Sequence, residues 1–148
     1  MRTINIAIVA ITQGKNFVMH LRGGQDRERG ALGLTGFLGG MIDDGETSLE
    51  AALRELREET NLDLTAAQLK KLGQVDVSSD FELEPVRVIA EVYGVDIPAG
   101  QTIKLNLDHE EVDMVDDTIV FIDTNGVKKL INENKLTPAT KAAFEELL

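Results

Sequence analysis

Apolar residues recur along the chain at two spacings, one typical of strands and one typical of helices. Residues 3–11 are rich in Ile and Val, which indicates a strand buried on both faces. Gly14 and Asn16 lie in a polar segment that predicts a turn, so residues 17–21 are expected to return as the second strand of a hairpin. Further strands are predicted at residues 75–77, 86–95 and 119–122.

One segment combines helical periodicity with signals for both of its ends. Its apolar residues predict a buried stripe, formed by Leu49, Ala52, Leu53 and Leu56. Thr47 is placed as the N-cap, and Glu50 three residues later completes a capping box. Asn61 follows the last helical residue, where a left-handed backbone conformation is expected.

Glycine and proline divide the rest of the chain. Residues 31–40 are rich in glycine, which allows the backbone to pass close to a ligand or a metal ion. Residues 127–131 indicate a short helix, and Thr137 followed by Pro138 predicts the start of a final one, with Thr137 as its N-cap. Residues 101–117 are densely acidic and favour no single element.

Strands and helices alternate irregularly, and at least one pair of strands forms a hairpin. The pattern therefore predicts an α/β fold with a mixed β-sheet covered by helices. The length of 148 residues predicts a single domain, residues 1–148.

Composition narrows the classes of function. The net charge is −11, from 26 acidic and 15 basic residues, so we expect neither nucleic acid nor an anionic membrane as a partner. No cysteine is present, which excludes disulfides and thiolate metal sites. The apolar run at residues 4–11 is too short to span a bilayer and lacks a cleavage signal, so a cytoplasmic location is expected.

Three glutamates project from one side of the predicted helix. Glu55, Glu58 and Glu59 stand at i, i+3 and i+4, where like charges repel by roughly a few tenths of a kcal/mol per pair. They also lie toward the C-terminal end, where the helix dipole disfavours anions. Oxygen ligands on one rigid face suit a hard divalent cation such as Mg²⁺, and the alternative is a solvated acidic face.

Eight residues stand at fixed spacing in and around this helix: Gly40, Glu46, Arg54, Glu55, Leu56, Glu58, Glu59 and Leu62. Their spacing resembles the signature of the Nudix hydrolase family (MutT-like), G-x5-E-x7-R-E-U-x-E-E-x-G-U, in which U is a bulky aliphatic residue. Asn61 stands where the family has Gly, and Leu38 stands where the family often has Pro. Because many positions match at fixed spacing, the resemblance is much more specific than a lone G-x-G-x-x-G.

The resemblance implies a Nudix-type α/β/α sandwich and the hydrolysis of a nucleoside diphosphate linked to another moiety. The implied ligands of Mg²⁺, or of Mn²⁺ in its place, are the side chains of Glu55, Glu58 and Glu59 and the carbonyl of Gly39. One of the three glutamates is expected to act as the general base. Arg54 and Glu46 are expected to form an orienting ion pair behind the ligands, with a plain surface pair as the alternative.

Further contacts to the substrate are implied outside the helix. Arg22, at the end of the second strand, is expected to face substrate phosphates, and an ordinary strand-end cation is the alternative. Gly40 allows the backbone to approach the substrate. Family members often add a carboxylate from a later loop, for which Glu111 is the candidate metal ligand and Glu110 the candidate substrate contact. A solvated acidic loop is the alternative for both.

The expected substrates are nucleoside triphosphates, including deoxynucleotides, cleaved to monophosphate and pyrophosphate. Residues 74–80 lack the Pro and the Tyr that mark the ADP-ribose and dinucleoside polyphosphate subfamilies. The alternatives are hydrolysis of ADP-ribose or a nucleotide sugar, and a sensor domain that binds nucleotide without hydrolysing it. Phe37, Phe81 and Tyr93 are candidates for stacking on a base, although core packing is the preferred interpretation. A homodimer is also expected.

Overall fold

The computed structural model describes residues 2–22, 33–79, 85–106 and 118–148, and the predicted α/β fold is confirmed in it. The strands are β1 (Arg2–Gln13), β2 (Asn16–Leu21), β3 (Thr35–Gly36), β4 (Leu38–Met41), β5 (Lys70–Ser79), β6 (Val86–Asp96) and β7 (Thr118–Ile122). The helices are α1 (Ser48–Glu59), α2 (Thr124–Asn132) and α3 (Pro138–Glu146), with a short 3₁₀ helix at Ala66–Gln68.

Strand β1 lies at the centre of the sheet, and its neighbours run in both directions. It pairs in parallel with β6 and antiparallel with β2 and β4, the last through the register Ile8 to Gly39. Beyond these neighbours, β2 pairs antiparallel with β3 and β7, and β6 pairs antiparallel with β5. The sheet is therefore mixed, as the alternation of strands and helices predicts.

Alternate side chains of β1 enter two hydrophobic layers on opposite faces of the sheet. One layer joins β1 to α1 through the buried residues Ala7, Val9, Ile11, Ala52 and Leu56. The other joins β1 to α2 and α3 through Ile8, Ala10, Val127, Ala139 and Ala143. The sheet thus lies between α1 on one side and α2 with α3 on the other, which is the expected α/β/α arrangement.

Two short strands are absent from the sequence-based prediction. Strands β3 and β4 lie in the glycine-rich segment, where glycine weakens strand propensity. Their structure depends on pairing with β2 and β1, which are distant in sequence. The predicted strands are present but longer, and β5 begins at Lys70 rather than at residue 75.

The helices begin where local capping allows. Asp123 caps α2 by accepting a hydrogen bond from the N–H of Gly126 at 2.8 Å, so this helix begins earlier than predicted. Pro138 opens α3 and Thr137 is its N-cap, as predicted, but the hydroxyl of Thr137 donates to Thr140 Oγ1 at 2.8 Å and makes no capping hydrogen bond with the backbone. Within the described ranges, no helix has the length and apolar character that crossing a membrane demands.

Candidate functional site

Helix α1 presents the acidic residues from a well-fixed N-terminus. The N–H of Glu50 donates to Thr47 Oγ1 at 3.1 Å, and the N–H of Thr47 donates to Glu50 Oε1 at 2.9 Å, which confirms the capping box. Ala52 and Leu56 are fully buried against the sheet. The opposite side of the helix is therefore the side on which charged side chains can gather.

Strand β4 brings two glycines beside α1. Gly39 has φ +150°, and a Cβ atom there would lie 2.1 Å from the carbonyl oxygen of Ala7 in β1. A Cβ atom on Gly40 would lie 2.5 Å from Oε1 of Glu55. The backbone of β4 therefore packs directly against β1 and against the carboxylate of Glu55. At Gly39 only glycine permits this closeness, because the neighbouring atoms belong to the backbone, whereas at Gly40 the neighbouring atoms are the end of the Glu55 side chain.

Arg54 is the centre of the charge network on α1. Its Nε and Nη2 donate to the two oxygens of Glu46 at 2.7 and 3.0 Å, so the predicted ion pair is present. Its Nη1 donates to Glu55 Oε1 at 3.0 Å and to Glu58 Oε2 at 3.2 Å. Nη2 also donates to the carbonyl of Met41 at 3.0 Å. One guanidinium thus links the loop after β4 to two of the predicted metal ligands.

The ion pair between Arg54 and Glu46 shifts the pKa of both side chains. The hydrogen bond from Arg54, helped by one from the N–H of Asp43, lowers the pKa of Glu46 below its ordinary value. The hydrogen bond to Glu46 raises the pKa of Arg54 above its ordinary value. Glu46 is therefore ionised at neutral pH and holds Arg54 in place.

This shift predicts how acid changes stability. A carboxyl group whose pKa is lowered by folding stabilises the protein above its unfolded pKa, about 4.3, and loses that effect as pH falls through the folded pKa. We expect the Tm of Glu46→Gln to lie below that of the wild type at pH 7, with the difference shrinking as pH falls below about 4 and vanishing below the folded pKa of Glu46. Thermal unfolding of both proteins from pH 3 to 7 measures this. A difference that stays constant over that range would contradict the assignment.

Glu55 carries the most unusual oxygen of the site. The residue is buried, and its Oε2 has no hydrogen-bond partner among the described residues, although Oε1 accepts from Arg54. A carboxylate oxygen removed from water without a donor is costly. A hard divalent cation would satisfy this oxygen, so Glu55 fits as one ligand of such an ion.

The three predicted glutamate ligands do not converge in the described part of the chain. Glu55 and Glu59 are buried, whereas the side chain of Glu58 is 39% exposed. Across residues 2–22, 33–79, 85–106 and 118–148, no group of three His, Cys, Asp or Glu side chains is arranged to hold a metal ion. Carboxylates repel one another unless a cation lies between them, and Arg54 occupies that position for Glu55 and Glu58. The assignment of these glutamates as ligands stays a prediction.

The end of α1 differs from the expectation. Asn134, with φ 55°, is the non-glycine residue with positive φ among those described, so the predicted left-handed conformation of Asn61 is wrong. The helix ends instead through Thr60, whose N–H and hydroxyl both donate to the carbonyl of Leu56, at 2.9 and 2.6 Å. Beside this helix end, Asn61 Oδ1 accepts from the N–H of Lys104 and Asn106 Nδ2 donates to the carbonyl of Glu58. The sequence carries no local signal for the contact of Asn106.

Of the other residues predicted to contact the substrate or the metal, Arg22 is among the residues that the structure describes. Arg22 follows β2, where its N–H donates to Leu34 at 2.9 Å and its carbonyl accepts from Gly33 at 3.0 Å. This pairing fixes the backbone, and the expected phosphate contact stays a prediction. Glu110 and Glu111 lie outside the described residues.

The aromatic candidates pack in the interior. Phe37 lies 5.1 Å from Phe144, centroid to centroid, and is buried. Tyr93 is buried on the α1 side, where its hydroxyl lies 2.6 Å from Ser48 Oγ. Core packing is therefore the better interpretation for both, and Phe81 lies outside the described residues.

Comparison with known proteins gives a family and a fold. The family model described as the NUDIX domain matches residues 1–133. The MutT Nudix hydrolase of Burkholderia pseudomallei has a TM-score of 0.69 and 20% identity, covering 100% of both chains. The MutT protein of Methanosarcina mazei Go1 has a TM-score of 0.68 and 22% identity, covering 98% of this chain and 91% of that chain.

A longer protein is also similar. The bifunctional NMN adenylyltransferase/ADP-ribose pyrophosphatase of Francisella tularensis, in complex with AMP and a Mn ion, has a TM-score of 0.69 and 18% identity. The match covers 97% of this chain but only 40% of that protein. At these identities the structures share the fold. The comparison with curated proteins gives no match.

Proposed function

The chain belongs to the NUDIX domain family and is a Nudix hydrolase, and on that premise we propose that it is a divalent-metal-dependent pyrophosphohydrolase of nucleoside triphosphates. The reaction would release the nucleoside or deoxynucleoside monophosphate and pyrophosphate. The observation that carries the metal dependence is the buried, unpartnered Oε2 of Glu55. That oxygen lies on the helix that also bears Glu58 and Glu59.

The proposed roles follow from position on α1 and β4. Glu55, Glu58 and Glu59 would hold Mg²⁺ together with the carbonyl of Gly39, and one of the glutamates would accept the proton of the attacking water. When bound, the ion offsets phosphate charge and activates that water. The Mn ion in the Francisella tularensis structure supports a divalent cation in general, with Mn²⁺ as a substitute.

Behind the ligands, Arg54 acts as an orienting residue. Its ion pair with Glu46 ties α1 to the loop after β4, and its Nη1 restrains the carboxylates of Glu55 and Glu58. These contacts keep two negative side chains close before any cation binds. Less reorganisation is then needed when the ion arrives.

Substrate contacts complete the proposal. Arg22 would face the phosphates, and Gly40 would let the backbone approach them beside Glu55. Glu111 would add a metal ligand, and Glu110 a substrate contact. Residues 74–80 lack the Pro and the Tyr of the ADP-ribose and dinucleoside polyphosphate subfamilies, which supports triphosphates over those substrates.

The substrate class is tested by a hydrolysis panel. We expect Mg²⁺-dependent release of pyrophosphate from at least one ribo- or deoxyribonucleoside triphosphate, and loss of turnover in EDTA. ADP-ribose, a nucleotide sugar and a dinucleoside polyphosphate are measured beside it. Faster turnover of one of these would overturn the triphosphate proposal. Binding of nucleotide without turnover of any compound would favour the sensor alternative, against which the three retained glutamates argue.

The wider setting belongs to the same proposal. Residues 1–148 would form one domain, which is supported by the packing of α3 in the same core layer as Ile8 and Ala10 of β1. The protein would act in the cytoplasm as a homodimer. Its partners would be nucleotides rather than nucleic acid or membrane, in keeping with its net charge of −11.

A further inference from the structure

The C-terminal turn of α1 carries two proposed metal ligands in an unfavourable place. Glu58 and Glu59 are the last two residues of the helix, where the dipole disfavours negative charge. The last carbonyls of a helix also lack intrahelical donors. This turn therefore needs support from elsewhere in the chain if its side chains are to keep one geometry.

That support comes from the segment that follows β6. The N–H of Asn106 donates to the carbonyl of Glu59 at 2.7 Å, and its Nδ2 donates to the carbonyl of Glu58 at 3.1 Å. Thr60 and Leu105 also form an isolated antiparallel bridge. Asn106 thus satisfies both terminal carbonyls of the turn, although it lies 48 positions after Glu58 in sequence.

Asn61 strengthens the same contact with its side chain. Its Nδ2 donates to the carbonyl of Thr102 at 2.8 Å, and its Oδ1 accepts from the N–H of Lys104 at 2.9 Å. Its own N–H donates to the carbonyl of Lys104 at 3.1 Å. The side-chain amide pairs with this segment as a neighbouring strand would, with one donor and one acceptor.

We propose that Asn61 and Asn106 are positioning residues that clamp the C-terminal turn of α1 and thereby fix Glu58 and Glu59 for cation binding. This inference rests on the proposed function, because it assigns a purpose to the residues around the proposed ligands. Glycine, which the family signature has at position 61, offers no side chain for such a clamp. The asparagine at this position therefore carries a specific role in this chain.

The test is the binding of Mn²⁺ to the purified protein in the absence of nucleotide. Binding is measured from the electron paramagnetic resonance signal of free Mn²⁺. We expect Asn61→Ala and Asn61→Gly each to raise the Kd for Mn²⁺ about tenfold, at the lower end of the effect of groups that orient metal ligands. Asn106→Ala should raise it similarly. All variants are measured well below their Tm, so a loss of global stability alone does not change the Kd.

Gln13→Ala is the matched control. The Nε2 of Gln13 donates to the carbonyls of Pro98 and Gln101, at 2.8 and 2.7 Å, and so holds the start of the same segment without hydrogen bonding to α1. This variant should lower Tm by an amount similar to Asn61→Ala while leaving the Kd within about twofold, because it too loses two side-chain hydrogen bonds.

The outcomes separate this inference from the proposed function. Wild-type protein that binds Mn²⁺, beside Asn61 variants with an unchanged Kd, would overturn the clamp alone. An equal rise of the Kd in Gln13→Ala would also overturn it, because the effect would then not pass through the helix end. Wild-type protein that binds no Mn²⁺ would remove the proposed metal site itself, and the clamp with it.

Discussion

Gly39→Ala is expected to lower the free energy of unfolding by about 4 kcal/mol or more, which few single substitutions reach. The new Cβ would lie 2.1 Å from the carbonyl oxygen of Ala7 and 2.7 Å from Cα of Ile8. Both are backbone atoms of β1, so no side-chain rotation relieves the overlap. The φ of +150° adds strain for any residue with a side chain. Chemical denaturation measures the loss, and Tm should fall by about 8–16 °C.

Gly45→Ala is the control for this substitution. Gly45 also has a positive φ, +81°, but a Cβ there would meet nothing within 4 Å. The free energy of unfolding of this variant should therefore fall by only about 1–2 kcal/mol, which is the cost of a left-handed conformation for a residue with a side chain. Equal losses in the two variants would show that contact with β1 contributes little. In that case the close packing of β4, which places Gly40 beside Glu55, would not be required for the fold.

Local signals account for the parts of the fold that the sequence predicts well. The capping box of Thr47 and Glu50 and the apolar stripe of α1 act within one helix, and both are present. Strand β4 is different, because its glycines have no strand preference and its structure comes from pairing with β1. Asn61 illustrates the same limit, since its conformation is decided by Thr102 and Lys104 rather than by its neighbours in sequence.

In the candidate site too, local sequence predicts some contacts, and segments distant in sequence decide the others. Glu46 and Arg54 are paired as expected, since the capped helix and the preceding turn bring them together. Sequence spacing also places Glu55 and Glu58 on one side of α1, where Arg54 contacts both. Asn106 could not be predicted, because its contact with the helix end depends on the path of the segment after β6. In the sequence, the one indication that this helix end is unusual is Asn61, which stands at the position of the family glycine.

Glu59→Gln is expected to lower kcat/KM for the best triphosphate substrate about 10²- to 10³-fold, since a lost metal ligand removes several kcal/mol of transition-state stabilisation. Glutamine keeps the size of the buried side chain but removes its charge. Stability should respond in the opposite direction, because Glu59 lies four residues from Glu55 and at the negative end of the helix dipole. Tm should therefore stay unchanged or rise slightly while activity falls. Steady-state kinetics at saturating Mg²⁺ and thermal unfolding measure the two effects.

Glu145→Gln is the matched control, because it makes the same chemical change at an exposed position of α3. It should leave kcat/KM within about twofold, as surface substitutions away from a site generally do. Activity of Glu59→Gln within threefold of the wild type would contradict the assignment of Glu59 as a ligand. Loss of activity together with a large fall in Tm would indicate a structural role instead. Only the combination of low activity and preserved stability supports a carboxylate that is kept, against its own repulsion from Glu55, to bind a cation.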